Sequence, residues 1–157
     1  MNKEILVLEN KILKLKHVFS KTIVIDENFS DKPFNIIIKE FDDYMKNNKI
    51  EGFGPIIVKS GFVGNEEKKM YIKLMRQTKN DTIKTIYPYE YAEEFKTIPC
   101  LFSRFNGNSN DQAIATMKMQ VYAYEHNLVL DTESYAITKI NDDESQIDTF
   151  IPILGRA

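Results

Sequence analysis

One order of secondary-structure signals occurs twice along this chain. A strand pattern, an amphipathic helix and two further strand patterns run from about residue 11 to 78, and again from about 95 to 154. A single β-α-β-β unit leaves apolar faces of its helix and sheet uncovered, whereas two units can share a core. The repeat therefore predicts an α+β fold, one domain over residues 1–157 made of two tandem pseudo-symmetric β-α-β-β repeats. An antiparallel sheet with two helices packed on one face is the expected architecture. With 157 residues and 43% hydrophobic content, the chain is large enough to bury such a core.

The individual signals are as follows. A short helical turn is expected near Ile5–Leu8. The stretch from Ile12 to Ile25 reads as a strand, with Leu13, Leu15, His17 and Phe19 at period two. Ser30 and Asp31 offer helix-capping oxygens and Pro33 suits a first turn. Phe34, Ile37, Ile38, Phe41, Tyr44 and Met45 then recur at helical spacing, to an end near residues 47–49. Gly52, Gly54 and Pro55 break the chain before two strands, Ile56–Val63 and Met70–Gln77, joined by a turn at Gly64-Asn65.

In the second repeat, Phe95–Phe105 reads as a strand closed by Asn106-Gly107-Asn108. Ser109 and Gln112 have capping-box spacing, and Ile114, Met117, Val121, Tyr124 and Leu128 share one helical face. Asp131–Ile140 and Ile147–Ile153 are the last strands, joined by a polar segment at residues 141–145. The connecting segment, about residues 79–94, holds Tyr87, Tyr89 and Tyr91, too many tyrosines for a bare linker, so part of it is expected to pack against the domain.

Composition narrows the function classes. With 21 basic and 23 acidic residues the formal net charge is −2, which gives no basic surface for phosphate backbones, so direct nucleic-acid binding is not expected. The single cysteine, Cys100, cannot form an internal disulfide, and a reducing, cytoplasmic setting follows. Neither a signal peptide nor a membrane-spanning stretch is legible. The abundance of lysine, asparagine and isoleucine suggests an AT-rich bacterial genome. His17 and His126 lack metal-ligand spacing, and there is no phosphate loop, nucleophile elbow or dinucleotide fingerprint. No metal, cofactor or catalytic residue is therefore expected.

The second half carries a recognisable outline: Ser103-Arg104-Phe105-Asn106-Gly107, a helix, Glu125-His126-Asn127-Leu128, Asp131-Thr132-Glu133-Ser134-Tyr135, and Asp148-Thr149-Phe150-Ile151-Pro152-Ile153. It resembles the GyrI-like, or effector-binding, family, the small-molecule domain of multidrug-sensing bacterial transcription activators, which also occurs as stand-alone proteins. Gly107, Glu133, Tyr135 and Thr149–Ile153 match the family's glycine turn, Glu-x-Tyr pattern and Thr-x-x-Ile-Pro-like ending. The motif-level agreement covers residues 103–153.

The resemblance implies a cleft between the halves in which Glu133 compensates the charge of a cationic aromatic compound. If the strand is regular, Tyr135 and Ile137 stand on the same face as Glu133. By pseudo-symmetry, Tyr71, Met75, Phe62 and Tyr89 would form groove walls or rims. The resulting expectation is a stand-alone small-molecule binding module, a sensor or sequestering protein without a DNA-binding domain. Two alternatives accompany it: a protein-interaction module with a vestigial cleft, and a hydrolase of small electrophiles using Glu133 as general base. A protein partner or homodimer is compatible with exposed strand edges.

Overall fold

The computed structural model describes residues 5–25, 32–63, 69–141 and 144–157. The expected features at Ser30-Asp31, Gly64-Asn65 and Asp142-Asp143 lie outside them. The described residues form nine strands and two α-helices in an α+β fold. The chain divides into two compact units, Lys14–Phe95 and a second made of Met1–Leu13 with Lys96–Ala157.

The first unit contains β2 (Lys14–Ile25), α1 (Phe34–Asn47), β3 (Gly52–Val63), β4 (Lys69–Thr78) and β5 (Tyr89–Lys96, whose last residue falls in the other unit). Its sheet order is β3-β4-β2-β5. Register fixes the two faces: Phe19 lies opposite Arg76, and Leu74 lies opposite both Lys21 and Val58. Phe19 and Leu74 meet α1 in a core with Ile37, Phe41, Met45 and Ile50. The helical periodicity of α1 is thus realised as expected, except that Phe34 stays half exposed at the first turn. His17, whose φ is 52°, interrupts the regular strand period of β2, and beyond it Val18 and Ser20 on one face and Phe19 on the other are all buried. Gly52 lets the chain pass close to α1, since a Cβ there would meet Arg76 and Met45 at 2.9 Å.

The second unit contains β1 (Ile5–Lys11), β6 (Cys100–Gly107), a single 3-10 turn (Ser109–Asp111), α2 (Gln112–Glu125), β7 (Leu128–Leu130), β8 (Ser134–Asn141) and β9 (Glu144–Arg156). Its order is β1-β6-β9-β8, with β7 paired to the far end of β9. The Ile5–Leu8 segment is a strand rather than a helical turn, because its backbone ladders along β6, Val7 opposite Ser103. The single strand expected over Phe95–Phe105 is two, β5 and β6. Between them, Thr97 exchanges backbone and side-chain hydrogen bonds with Leu13.

Two expectations about α2 are corrected. Asp111, not Ser109, holds the N-cap position, and it makes no side-chain capping bond, because the 3-10 turn shifts the helix start by two residues. The buried line is Ala115, Met119 and Ala123, whereas Ile114, Met117, Val121 and Tyr124 are exposed. Leu101, Leu128 and Ile151 complete that core, and Phe105, Ala115 and Ile147 form a second cluster. Both helices end alike, with Lys49 (φ 58°) and Asn127 (φ 58°) in the left-handed region just past the cap residue.

Candidate ligand-binding site

In each unit the sheet has one face that carries the helix and one that does not, and period two assigns side chains to them. In the second unit, Leu101, Ser103 and Phe105 of β6 face α2, so Cys100, Phe102 and Arg104 face away. Phe102 lies opposite Phe150, and Phe150 opposite Tyr135. Arg104 lies opposite Asp148, and Asp148 opposite Ile137. The helix-free face is thus a row of three aromatics beside an ion pair.

The geometry of that face is well defined. The Phe102 and Phe150 rings meet at 5.0 Å and 57°. Arg104 grips Asp148 with two hydrogen bonds, Nε to Oδ1 and Nη2 to Oδ2, each 2.9 Å, and its guanidinium lies 5.6 Å from the Phe102 ring centre. This bidentate pairing raises the Arg104 pKa further and leaves the buried Asp148 with a matched charge. Tyr135, 5% exposed, has its phenol pKa pushed up to about 12. Burial is the main cause, followed by the charges of Glu133, Cys100 and Asp131, which oppose a phenolate. Glu133 stands one residue before β8 begins, half buried, its backbone N–H donating to Asp131 Oδ1 at 3.3 Å. Glu133 therefore lies in a bend held by the Asp131 side chain, just ahead of the regular strand.

The first-unit residues are divided between its two faces. Tyr71 and Met75 are buried on the helix-free side of β4, and Lys59 Nζ lies 5.9 Å from the Tyr71 ring centre. Phe62, opposite Met70, has the opposite parity and is half exposed. Tyr89 belongs to the α1 side: its ring stacks on Tyr44 at 3.9 Å and on Phe19 at 5.6 Å, with Lys21 Nζ 5.6 Å from its centre. Burial raises its phenol pKa. The remaining connecting-segment tyrosines also differ. Tyr91 accepts from His17 Nδ1 at 2.6 Å and donates to the Asp81 carbonyl, while Tyr87 is exposed.

Sequence reading missed Phe102, Asp131, Asp148 and Phe150. The signal was present, because Asp148 and Phe150 alternate with Thr149 and Ile151 within the recognised motif, and alternation sends the two pairs to opposite faces. A groove of about 490 Å³ lies elsewhere, at the C-terminal end of α1 in the first unit. Its Asp42 bridges Arg76 and Lys46 at 3.2 and 3.1 Å, and it includes none of Glu133, Tyr135, Tyr71, Met75, Phe62 and Tyr89. Among the described residues no group of three or more His, Cys, Asp or Glu is placed to hold a metal ion, and no helix is long and apolar enough to cross a membrane.

No protein-family model and no curated protein matches the chain. Solved structures do. The EcmrR C-terminal domain is similar over 100% of both chains, with a TM-score of 0.65 and 12% identity. EcmrR in a DNA complex is similar over 96% of this chain and 57% of that one, with a TM-score of 0.60 and 12% identity. SAV2435 bound to tetraphenylphosphonium is similar over 99% and 95%, with a TM-score of 0.50 and 11% identity. The chain therefore shares the α+β fold of the EcmrR C-terminal domain, consistent with the resemblance read from residues 103–153.

Proposed function

We propose that the chain is a small-molecule binding module that takes an aromatic cation on the helix-free face of its second unit. The observation that carries this reading is the environment of Tyr135. Its phenol lies in an aromatic row with Phe150 and Phe102 and feels the negative charge of both Glu133 and Asp131. Aromatic faces bordered by carboxylates attract a cation that is large, flat and weakly hydrated, and repel an anion of the same shape. Arg104 does not cancel this preference, since Asp148 already occupies its guanidinium. The likeness to SAV2435, a protein bound to tetraphenylphosphonium, supports the same ligand class.

Calorimetric titration with tetraphenylphosphonium tests the reading. The expected result is saturable binding that weakens on the order of 10-fold in Glu133→Gln, as for loss of one partly desolvated charge interaction. Absence of binding, or equal binding by Glu133→Gln, would remove the case for a charge-reading site. A second reading, a protein-interaction module, draws on a different observation, the exposed apolar stripe of α2.

A further inference from the structure

α2 presents to solvent the residues that a water-facing helix would ordinarily replace with polar ones. Ile114, Met117, Val121 and Tyr124 are 49, 67, 55 and 86% exposed. Their spacing of three, four and three residues is the a/d repeat of a two-helix seam, which lies along one side of a helix without drifting round it. On one edge the stripe is bordered by Ala113 and Gln120, exposed and uncharged, and on the other by Lys118 and Glu125, exposed and of opposite charge. Between Gln112 and Glu125 the only charged side chains are Lys118 and Glu125. Lys118 Nζ is held by the Ile5 carbonyl at 2.8 Å, which ties it to β1 within its own unit.

We infer that the α2 stripe is a self-association surface, and that its occupant is the α2 stripe of a second copy of this chain. The stripe itself carries no charge, and the charged side chains on its border, Lys118 and Glu125, are of opposite sign, so two copies related by a two-fold axis can meet apolar side to apolar side with those charges left at the rim. The area is also sufficient. The observed exposures leave roughly 500 Å² of side-chain surface per chain, hence about 1,000 Å² for a symmetric pair, the size at which specific interfaces begin. Tyr124, the most exposed of the four, supplies a large ring with a polar tip, a residue type suited to an interface edge. The opposite side of the helix is committed to the core through Ala115, Met119 and Ala123, so pairing uses the free side without disturbing the fold.

Sedimentation equilibrium of the purified 157-residue chain across a concentration series is the test. A reversible dimer is expected, and Met117→Glu should raise its dissociation constant on the order of 100-fold or more, because the charge would be buried without a partner. Its circular dichroism should match that of the unaltered chain. The double substitution Ala113→Lys with Gln120→Lys leaves the apolar stripe residues intact and should weaken the dimer on the order of 10-fold at low salt, with recovery at high salt. A chain that stays monomeric at all concentrations overturns the inference, including one whose stripe is covered by another macromolecule in its host. So does a dimer that neither variant weakens.

Discussion

The two helices occupy corresponding places in the two units and solve the same packing problem in opposite ways. α1 puts its large side chains inward, Ile37, Phe41 and Met45 on Phe19 and Leu74, and stacks Tyr44 on Tyr89. α2 turns Ala115, Met119 and Ala123 inward and its larger apolar residues outward. A helix seated through alanines approaches its sheet closely, and polar bonds at its edges then help hold it. Tyr122 donates to Glu9 Oε2 at 2.7 Å, and Arg156 pairs with Glu9 Oε1 at 2.5 Å. The lesson is that apolar periodicity identifies a helix, but it identifies the buried side only when one side is clearly richer. In α2 two apolar lines compete, and the line with less bulk is the one inside.

The sharpest way to break this contrast is to empty the α1 seat. Phe41→Ala, at a position with 0% exposure, should destabilise the chain by about 3–5 kcal/mol in urea unfolding. A cost near zero would mean that α1 is not anchored by its large residues. Met119→Ala, the only large inward residue of α2 between its alanines, should cost about 2–4 kcal/mol. Overfilling is the complementary probe. Ala123→Leu should cost about 1–3 kcal/mol by forcing α2 away from its sheet, whereas a neutral result would mean the seat has spare volume.

Acid offers a finer comparison. Glu9 has its pKa lowered, first by the Tyr122 hydrogen bond and then by Arg156. A carboxylate depressed in the folded state contributes stability that is complete above its unfolded pKa and is lost as pH falls through the folded value. Thermal unfolding should therefore show a loss below the ordinary carboxylate range that is smaller in Glu9→Gln. An identical acid profile in the variant would remove Glu9 from the account. The smallest effect belongs to the outer stripe. Val121→Ser should change stability by no more than about 0.5 kcal/mol when measured at a dilution where the chain is monomeric.

The candidate site shows the same division between local and long-range information. Parity within one strand was legible: Tyr71 and Met75, four residues apart, do share the helix-free face of β4. Parity across strands was not, because it depends on register. Phe62 falls opposite Met70 and is thereby sent to the other side, and Tyr89 is claimed by the aromatic stack on α1. Glu133 and Tyr135 were recognisable as a motif. That Glu133 precedes β8 and sits in a bend with Asp131 depends on where pairing with β9 begins, at Tyr135 opposite Phe150.

By itself the sequence determined the two long helices and most of the strands, since periods of 3.6 and 2.0 are local properties written into consecutive residues. It placed α1 and its buried side without help. Only the tertiary structure decided that Ile5–Leu8 is a strand, because a ladder requires a distant partner, here β6. It also decided which side of α2 is buried. That choice rests on Leu101 and Ile151 accepting Met119 between two alanines, a fit of shapes in which close approach outweighs the larger apolar area left in water.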